Sequence, residues 1–454
     1  MPHASLLLLL LSLVSAPVPA PDSVVAFVDV TVVPMDRERT VPRQTVVVRG
    51  DRIVAMGPAD QVKVPAGGLR IDGRGKFLIP GLAEMHAHIP GGQAAESVVE
   101  RTLFLYVSGG ITTIRGMLGH PRHLGLRDRV ARGELISPTI YTSGPSLNGN
   151  SASTPEIANT MVTEQKAAGY DFLKIHPGLT RETFDAMVRA AHRSGIKFAG
   201  HVPLAVGLSR ALEARYASID HLDGYVEAMV RKGAPVTPAQ SQFFGLNLGE
   251  HLDASRLPAL VEATRKAGVW NVPTQTLMEN LTPETSTEAL DRRPEMRYVS
   301  ARTLSQWAEE KNSILQETGS SPESARRTME ARRKVIKALH GGGAGLLLGS
   351  DAPQIYNVPG FSTHRELESL VAAGLTPYQA LETGTRNVAA FFGTLARTGT
   401  IETGKRADLV LLEANPLADV RNTTRRAGVM LGGRWLPQET IDARLDAIAS
   451  SLAN

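Results

Sequence analysis

The sequence predicts an α/β protein, a TIM-like (β/α)8 barrel with a small β-sandwich domain built from the N- and C-terminal segments. Eight apolar or β-branched runs alternate with helix-like or polar segments between residues 77 and 351. Short β-rich runs precede and follow them. The 454 residues provide enough chain for one large domain and one smaller one.

The first 20 residues have the pattern of a secretory signal peptide. Leu6–Leu11 is a run of leucines, and small residues and prolines follow it up to Ala20. The run is about half as long as a membrane-spanning helix, so a permanent membrane anchor is not expected. We therefore predict an exported protein, periplasmic or secreted. The alternative is an apolar N-terminal tail, because no Lys or Arg precedes Leu6.

The β-rich segments at the two ends are predicted to form one composite β-sandwich domain. Residues 21–79 contain short β-like runs such as Thr45–Val48, and residues 398–440 contain runs such as Ala407–Leu412. Chain termini often lie close together, so the two segments can pair. A C-terminal helix is expected over residues 441–454.

Residues 80–397 are predicted to form the barrel, because strands that alternate with helices build a parallel sheet. A helical insertion is expected at about 276–339, where Thr303–Thr318 and Pro322–Leu339 read as amphipathic helices that would cap the barrel mouth. Four arginines of the second helix are expected to form a solvated face: Arg326, Arg327, Arg332 and Arg333. The eight predicted strands are Phe77–His88, Ile111–Met117, Thr139–Ser143, Phe172–His176, Lys197–Val202, Ser218–Leu222, Val269–Thr274 and Gly345–Asp351.

The composition excludes several kinds of chemistry. The chain has no cysteine, which excludes disulfides, thiolate zinc sites, iron–sulfur clusters and cysteine nucleophiles. The balance of 49 Lys and Arg against 45 Asp and Glu gives a net charge of only +4, so nucleic-acid binding is not expected. No Gly-x-Ser-x-Gly elbow of a serine hydrolase occurs.

Metal-ligating side chains recur where the predicted strands end. His86 and His88 are two residues apart, so on a strand both imidazoles point to the same face. Active sites of such barrels lie at the carboxyl ends of the strands, and neutral imidazoles are good ligands for zinc. Any one of these residues alone is weak evidence, since a histidine can belong to the core and an aspartate can cap a helix. Together they predict a metal site, because four other predicted strands end at or near Lys174, His201, His221 and Asp351.

In these residues and their order along the chain, the sequence resembles the metal-dependent amidohydrolase superfamily. Within that superfamily it is similar to the imidazolonepropionase-like and prolidase-like (Xaa-Pro dipeptidase type) branch. The resemblance covers nearly the whole chain after the signal region. The motifs that carry it are Leu78–Leu82, Gly110–Arg115, Tyr141–Pro145, Ala199–Pro203, Ser218–Leu222, Gly349–Asp351 and Gly399–Val410.

The resemblance implies two divalent metal ions, with zinc as the expected metal, and assigns His86, His88 and Asp351 to one ion and His201 and His221 to the other. Lys174 would bridge the ions as a carbamate. A hydroxide between the metals would attack the scissile carbonyl. Asp351 would carry the proton to the leaving nitrogen, and His221 would help to polarise the carbonyl.

The implied function is hydrolysis of a C–N amide or peptide bond in a small substrate such as a dipeptide or an N-acyl amino acid. Candidates for contacting that substrate are His176, Tyr225 and Gln275. The alternative is a mononuclear-metal deaminase or a cyclic-amide (imidazolonepropionase-like) hydrolase. Lys174 argues against it, and so does Val202–Leu204, where such enzymes carry a catalytic Glu. A binding protein without activity would be expected to lack ligands, and the sequence leaves open whether the chain forms a homo-oligomer.

Overall fold

The computed structural model describes residues 23–453. The predicted signal segment, residues 1–20, lies outside the described residues. Among residues 23–453, no helix has both the length and the apolar character that a membrane crossing requires.

The strands of this part of the chain fall into a group at each end and a group between them. They are β1 (Val24–Val32), β2 (Val41–Arg49), β3 (Arg52–Pro58), β4 (Leu69–Asp72), β5 (Phe77–Pro80), β6 (Leu82–Ala87), β7 (Ile111–Gly116), β8 (Thr139–Thr142), β9 (Phe172–Ile175), β10 (Lys197–Gly200), β11 (Ser218–Asp220), β12 (Trp270–Val272), β13 (Leu409–Leu412), β14 (Arg426–Leu431) and β15 (Arg434–Pro437).

Helices alternate with the middle group of strands and continue after it. They are α1 (Glu96–Ser108), α2 (Arg122–Ala131), α3 (Pro155–Ala168), α4 (Arg181–Ser194), α5 (Gly207–Glu213), α6 (Tyr225–Ala228), α7 (Leu257–Ala267), α8 (Gln275–Asn280), α9 (Thr287–Asp291), α10 (Ala301–Thr318), α11 (Pro322–Gly341), α12 (Phe361–Ala372), α13 (Pro377–Thr383), α14 (Arg386–Phe391) and α15 (Gln438–Ala453). Short 3₁₀ helices cover Pro238–Gln240, Leu246–His251, Ala254–Arg256, Pro294–Tyr298 and Val420–Thr424.

Strands from both ends of the chain share one eight-stranded sheet. Its order is β15-β14-β13-β5-β1-β2-β3, and β4 pairs in parallel with β1. Strand β5 lies at the junction, where it runs parallel to β1 and antiparallel to β13, with Leu78 opposite Leu411. Buried side chains such as Val46, Leu409 and Met430 form an apolar cluster on this sheet. The N- and C-terminal segments are therefore joined through backbone hydrogen bonds.

The middle strands form two parallel sheets, β6-β7-β8 and β9-β10-β11-β12. Single parallel bridges lie beyond these ladders, between Ser143 and Phe172, Asn271 and Leu346, and Ala87 and Ala352. Parallel strands with connecting helices confirm the predicted α/β fold of the TIM-barrel type. This arrangement brings the carboxyl ends of the parallel strands to one end of the molecule.

Two of the eight predicted strands differ from the structure. The run Phe77–His88 is divided at Gly81, so that β5 belongs to the terminal sheet and β6 to the parallel strands. The Gly81 amide donates to Asp408 of the terminal segment, whereas the Leu82 amide donates to Gly110 at the start of β7. A Cβ atom at Gly81 would lie 2.2 Å from Thr112 Oγ1, so the chain changes sheets at a residue with no side chain.

The run Gly345–Asp351 is the other exception, because no strand is assigned to it within the described chain. It is nevertheless hydrogen bonded on both sides. The Leu347 amide donates to Asn271 at 2.8 Å, and the Met85 amide donates to Leu348 at 2.8 Å. The segment therefore lies between β12 and β6, although its backbone does not follow a regular ladder.

The predicted helical insertion contains α10 and α11. Each helix begins at a serine whose side chain accepts a hydrogen bond from a backbone amide of the first turn, Ser300 from Thr303 and Ser321 from Ser324. Helix α11 buries Ala325 and Met329 against residues such as Leu246. The insertion thus packs on the loops beyond the carboxyl ends of the strands.

Candidate metal centre

The structure brings together the six predicted metal ligands at the carboxyl ends of the parallel strands: His86, His88, Lys174, His201, His221 and Asp351. Ligand atoms of His86, His221 and Asp351 all lie within 4.8 Å of one another. The His221 ring is 4.5 Å from the His86 ring and 4.5 Å from the His201 ring, measured between centroids. Such a concentration of imidazoles around a carboxylate is a donor set suited to divalent transition metals.

Asp351 and Lys174 both lie close to His86. One carboxylate oxygen of Asp351, Oδ1, is 2.6 Å from His88 Nε2 and 3.4 Å from His86 Nε2. Lys174 Nζ lies 3.4 Å from the same His86 nitrogen, and the lysine is fully buried. Burial lowers the pKa of Lys174 to about 8, which increases the fraction of neutral amine relative to an exposed lysine. A neutral amine is the form of lysine that can react with carbon dioxide.

Gly200, the residue before His201, makes room for the Lys174 side chain. Its φ is 122°, in a region that favours glycine. A Cβ atom at this position would lie 2.5 Å from the Ile175 carbonyl oxygen and 2.9 Å from Lys174 Cδ. The lysine can therefore pass beside β10 to reach the imidazoles only because residue 200 has no side chain.

Three imidazoles are oriented through Nδ1. His201 Nδ1 is 2.8 Å from Asp223 Oδ2, and His221 Nδ1 is 2.8 Å from Thr274 Oγ1. His86 Nδ1 lies 2.9 Å from an oxygen of Asp220, which is an ion-pair distance without hydrogen-bond geometry. Such contacts fix the ring orientation of metal-binding histidines and direct Nε2 toward the ion.

The surroundings of the His221 ring show whether the clustered residues suit a metal ion. Its Nε2 atom is buried and has no hydrogen-bond partner within residues 23–453. A buried polar atom without a partner is costly. Burial also lowers the pKa of His221 well below its usual range, so the ring is neutral and can donate a lone pair. A metal ion would satisfy this nitrogen, and the donor set therefore fits the implied ions.

Sequence patterns did not single out Asp220, Asp223 and Thr274 as functional. Asp220 is fully buried and pairs with Arg115 Nη2 at 3.1 Å as well as with His86. In the sequence, the only indication of a role for Asp220 was its position next to His221. Regular strand alternation would place those two side chains on opposite faces, but β11 ends at Asp220, and His221 has a φ of 61°. Both side chains can therefore turn toward the imidazole cluster.

Glu84 lies beside the segment that carries Asp351. Its carboxylate accepts hydrogen bonds from the Ser350 amide at 2.7 Å, the Ser350 hydroxyl at 2.6 Å and the Thr363 hydroxyl at 2.8 Å. Burial raises the pKa of Glu84 to about 7. The acid thus supports the backbone next to Asp351, where the strand ladder is irregular.

A cavity of about 370 Å³ opens above the cluster. His176 lines it, with its ring 5.0 Å from that of His201, and burial lowers the pKa of His176 to about 2. Glu227 also lines it and accepts a hydrogen bond from the Ser241 hydroxyl at 2.5 Å. The remaining wall is largely apolar and includes Val202, Leu204, Phe243, Phe244, Leu277 and Ile355.

Tyr225 and Gln275, predicted to contact substrate, do not line this cavity. Tyr225 belongs to the main core, and its hydroxyl is 2.8 Å from Thr264 Oγ1. The chain turns at Gly224, with a φ of 82°, and this turn directs the tyrosine inward. Gln275 is also fully buried, and its Oε1 accepts a hydrogen bond from Arg332 at 3.0 Å. Both side chains are therefore buried contacts of the core and not parts of the cavity wall.

Arg332 also differs from its predicted solvated position. It is fully buried, whereas the side chains of Arg326, Arg327 and Arg333 are 51%, 50% and 39% exposed. Sequence alone did not separate these four residues, because helical periodicity assigns a face but not the element that covers it.

Comparisons with known proteins agree with this geometry. Residues 77–436 match the Amidohydrolase family. A Bifidobacterium longum protein assigned as a prolidase is 25% identical, with a TM-score of 0.69 over 94% of this chain and 100% of that chain. A Xaa-Pro dipeptidase with bound methionine is 18% identical, with a TM-score of 0.67 over 91% of this chain and 100% of that chain.

Bottromycin amidohydrolase is 22% identical, with a TM-score of 0.69 over 94% of this chain and 90% of that chain. These last two similarities show a shared fold. No curated protein matches the chain.

Proposed function

This chain belongs to the amidohydrolase family, a hydrolase family acting on C–N bonds, and from that premise we propose that it cleaves an amide or peptide bond of a small substrate. The predicted resemblance to this superfamily is confirmed. The observation that carries the proposal is the convergence of four imidazoles, three of them buried, with the buried side chains of Asp351 and Lys174 beneath an open cavity.

Two divalent ions, with zinc expected, are part of the proposal. His86, His88 and Asp351 would hold one ion, His201 and His221 the other, and a carbamate on Lys174 would join the two sites. Bound divalent cations would polarise the scissile carbonyl and acidify a water molecule.

The chain's own residues would move the proton and orient the substrate. The Asp351 carboxylate lies at the cavity wall, where it can accept a proton from the attacking water and deliver it to the leaving nitrogen. His221 would help to polarise the carbonyl through the ion that it holds, because its Nδ1 contacts Thr274 and its Nε2 is assigned to that ion. His176 offers a neutral imidazole for a hydrogen bond to the substrate, because burial lowers its pKa far below neutrality. The apolar wall would receive an apolar side chain and exclude water.

A dipeptide or an N-acyl amino acid is the substrate class that we propose. The cavity of about 370 Å³ is of a size for such molecules. The similar solved structures named as a prolidase and a Xaa-Pro dipeptidase support a dipeptide. A second candidate is a mononuclear deaminase or cyclic-amide hydrolase, which is favoured by the compact group of His86, His221 and Asp351, sufficient for a single ion. Lys174, 3.4 Å from His86 Nε2, favours two ions.

The unconfirmed parts of the fold belong to the same proposal. We propose that the eight parallel segments close into a barrel, which the three single bridges between them support. The terminal sheet would fold over as a β-sandwich. Residues 1–20 would direct export, which fractionation of cells that express the full chain can test.

The deciding experiment is a substrate panel on purified protein reconstituted with zinc, manganese or cobalt in the presence of bicarbonate. The panel contains dipeptides, N-acyl amino acids, cyclic amides and aromatic amines. We expect metal-dependent release of an acid and an amine from one of the first two classes, with two ions bound per chain. Turnover of only the last two classes, with a single ion bound, would favour the alternative. Metal-loaded protein that turns over none of them would refute the proposal.

A further inference from the structure

Arg332 of the helical insertion binds the backbone that carries a candidate metal ligand. Its guanidinium donates from Nη1 to the His221 carbonyl at 2.6 Å and from Nη2 to the Pro273 carbonyl at 2.8 Å. Nε donates to Gln275 Oε1 at 3.0 Å. The arginine is fully buried, so these hydrogen bonds replace water around a charged group. One side chain therefore connects the ends of β11 and β12 to α11.

The backbone at these two strand ends is strained. His221, Leu222 and Thr274 have φ values of 61°, 56° and 46°, which are unfavourable for residues with a side chain. Such conformations persist only where surrounding contacts hold them. Arg332 supplies contacts to His221 itself and to both neighbours of Thr274 in the chain.

His221 and Thr274 are also joined directly. His221 Nδ1 lies 2.8 Å from Thr274 Oγ1, and the His221 amide donates to Val272 at 2.8 Å. Glu366 holds the chain after Thr274, because its carboxylate accepts from the Gln275 amide at 2.9 Å and from the Thr276 amide at 2.7 Å. The orientation of the His221 ring thus depends on the relative position of the ends of β11 and β12.

We propose that Arg332 is a positioning residue for the metal centre. It holds the left-handed turn so that the unpartnered Nε2 of His221 faces the cluster. This inference rests on the proposed function, and it gives the insertion a role besides the predicted covering of the barrel mouth. Arg332 is expected to act on the ion assigned to His201 and His221 more than on the ion assigned to His86, His88 and Asp351.

The test compares Arg332→Met and Arg332→Lys with Arg327→Met as a matched control on the same helix. Arg327 is half exposed and contacts Glu323 on the surface. Each full-length protein is loaded with zinc and titrated with a chelator to obtain the dissociation constants of the bound ions. The visible spectrum of the cobalt-substituted protein reports ligand geometry, and thermal unfolding without metal reports stability.

We expect the wild type and Arg327→Met to bind two ions equally well. Arg332→Met is expected to raise the dissociation constant of one ion about 10- to 100-fold, which is the range found when a residue that contacts a metal ligand is lost. It is also expected to change the spectrum of the cobalt-substituted protein. Arg332→Lys keeps the charge but not the three-way contact, and it should weaken the same ion by a smaller factor.

A merely structural role would lower the unfolding temperature and leave both dissociation constants and the spectrum unchanged in the folded protein, which would overturn the inference. If Arg332→Met does not fold, Arg332→Lys decides between the two outcomes by the same measurements. A wild-type protein that binds no ion would refute the proposed function. If both Arg332 variants bind two ions with the dissociation constants of the wild type, only the role of Arg332 is refuted.

Discussion

The two halves of the candidate metal centre are built differently. His86 lies within β6 and His88 directly follows that strand, so the backbone itself places them. His201 and His221 lie just beyond β10 and β11, after Gly200 with its positive φ and on a left-handed turn, respectively. A strand places the backbone of the first pair, whereas the backbone of the second pair lies just beyond the strands, at or directly after a positive-φ residue.

The carboxylates that contact a histidine of each pair also differ in their other partners. Asp220, behind His86, is bound to the buried guanidinium of Arg115. Asp223, behind His201, accepts instead from the Val202 amide at 3.3 Å. The same ligand type is therefore supported by a buried ion pair in one half and by a backbone contact in the other. We therefore expect the two acids to differ in how much they contribute to stability and to metal binding.

The largest effect is expected at Asp351 and Lys174. Asp351→Asn removes the proposed proton carrier, and Lys174→Ala removes the proposed bridge. Each should lower kcat/KM by about 1,000-fold or more in protein that folds normally. Steady-state assays on metal-loaded protein, with circular dichroism as the folding control, measure this. Full activity in either variant would refute the role assigned to that residue.

The two orienting acids provide the sharpest comparison. Asp220→Asn should destabilise the protein by about 3 kcal/mol or more, because it leaves the buried Arg115 charge without its partner. Asp223→Asn should chiefly weaken metal binding, by about 10- to 100-fold. Chemical denaturation without metal and chelator titration measure the two quantities. Equal losses of stability in both variants would contradict the distinction.

A pH dependence is expected from Glu366, which supports the second half through Gln275 and Thr276. Burial raises the pKa of Glu366 from 4.5 to about 8 in the folded protein. Between these values the unfolded chain is ionised while the folded carboxyl holds its proton, so the free energy of unfolding falls as the pH rises through this window. The slope is at most about 1.4 kcal/mol per pH unit for one such group.

This dependence can be measured by denaturation of metal-free protein between about pH 5 and about pH 8.5, which spans the window in which the two states differ in bound protons. Glu366→Gln, which cannot ionise, should make the dependence shallower. Glu323→Gln, on the exposed start of α11, serves as the control and should leave it nearly unchanged. The same slope in all three proteins would show that Glu366 does not titrate in this range.

The smallest effect is expected at Tyr225, which the sequence analysis assigned to substrate and the structure places in the core. Tyr225→Phe removes the hydrogen bond to Thr264 and should lower the free energy of unfolding by about 1 kcal/mol. KM should not change, because the hydroxyl does not reach the cavity. An increase in KM without a loss of stability would restore the original assignment.

Much of the fold follows from periodic patterns. The alternation of apolar runs and helical segments predicted the α/β order, and seven of the eight runs contain an assigned strand. The run Gly345–Asp351 is held by hydrogen bonds to Asn271 and Met85, which lie far from it in the chain. Its irregular backbone could not be distinguished from a strand by composition.

The four arginines of α11 show the same limit for side chains. Arg326 and Arg327 form ion pairs with Glu323, four or fewer residues away, as their spacing suggests. Arg332 is only five residues further on and is fully buried. Its burial depends on which strand ends lie beneath the helix, and helical spacing contains no information about them.

The order of residues along the chain was enough to indicate which chemistry is available and where it occurs. Histidines, a lysine and an aspartate follow apolar runs, and parallel strands bring such positions to one end of the fold. The orientation of these side chains, by contrast, depends on how the chain folds. The contact between Arg332 and His221 joins residues 111 positions apart, and such a contact becomes visible only when the chain is folded. Periodicity is a property of neighbouring residues, whereas ring orientation depends on atoms that distant segments contribute.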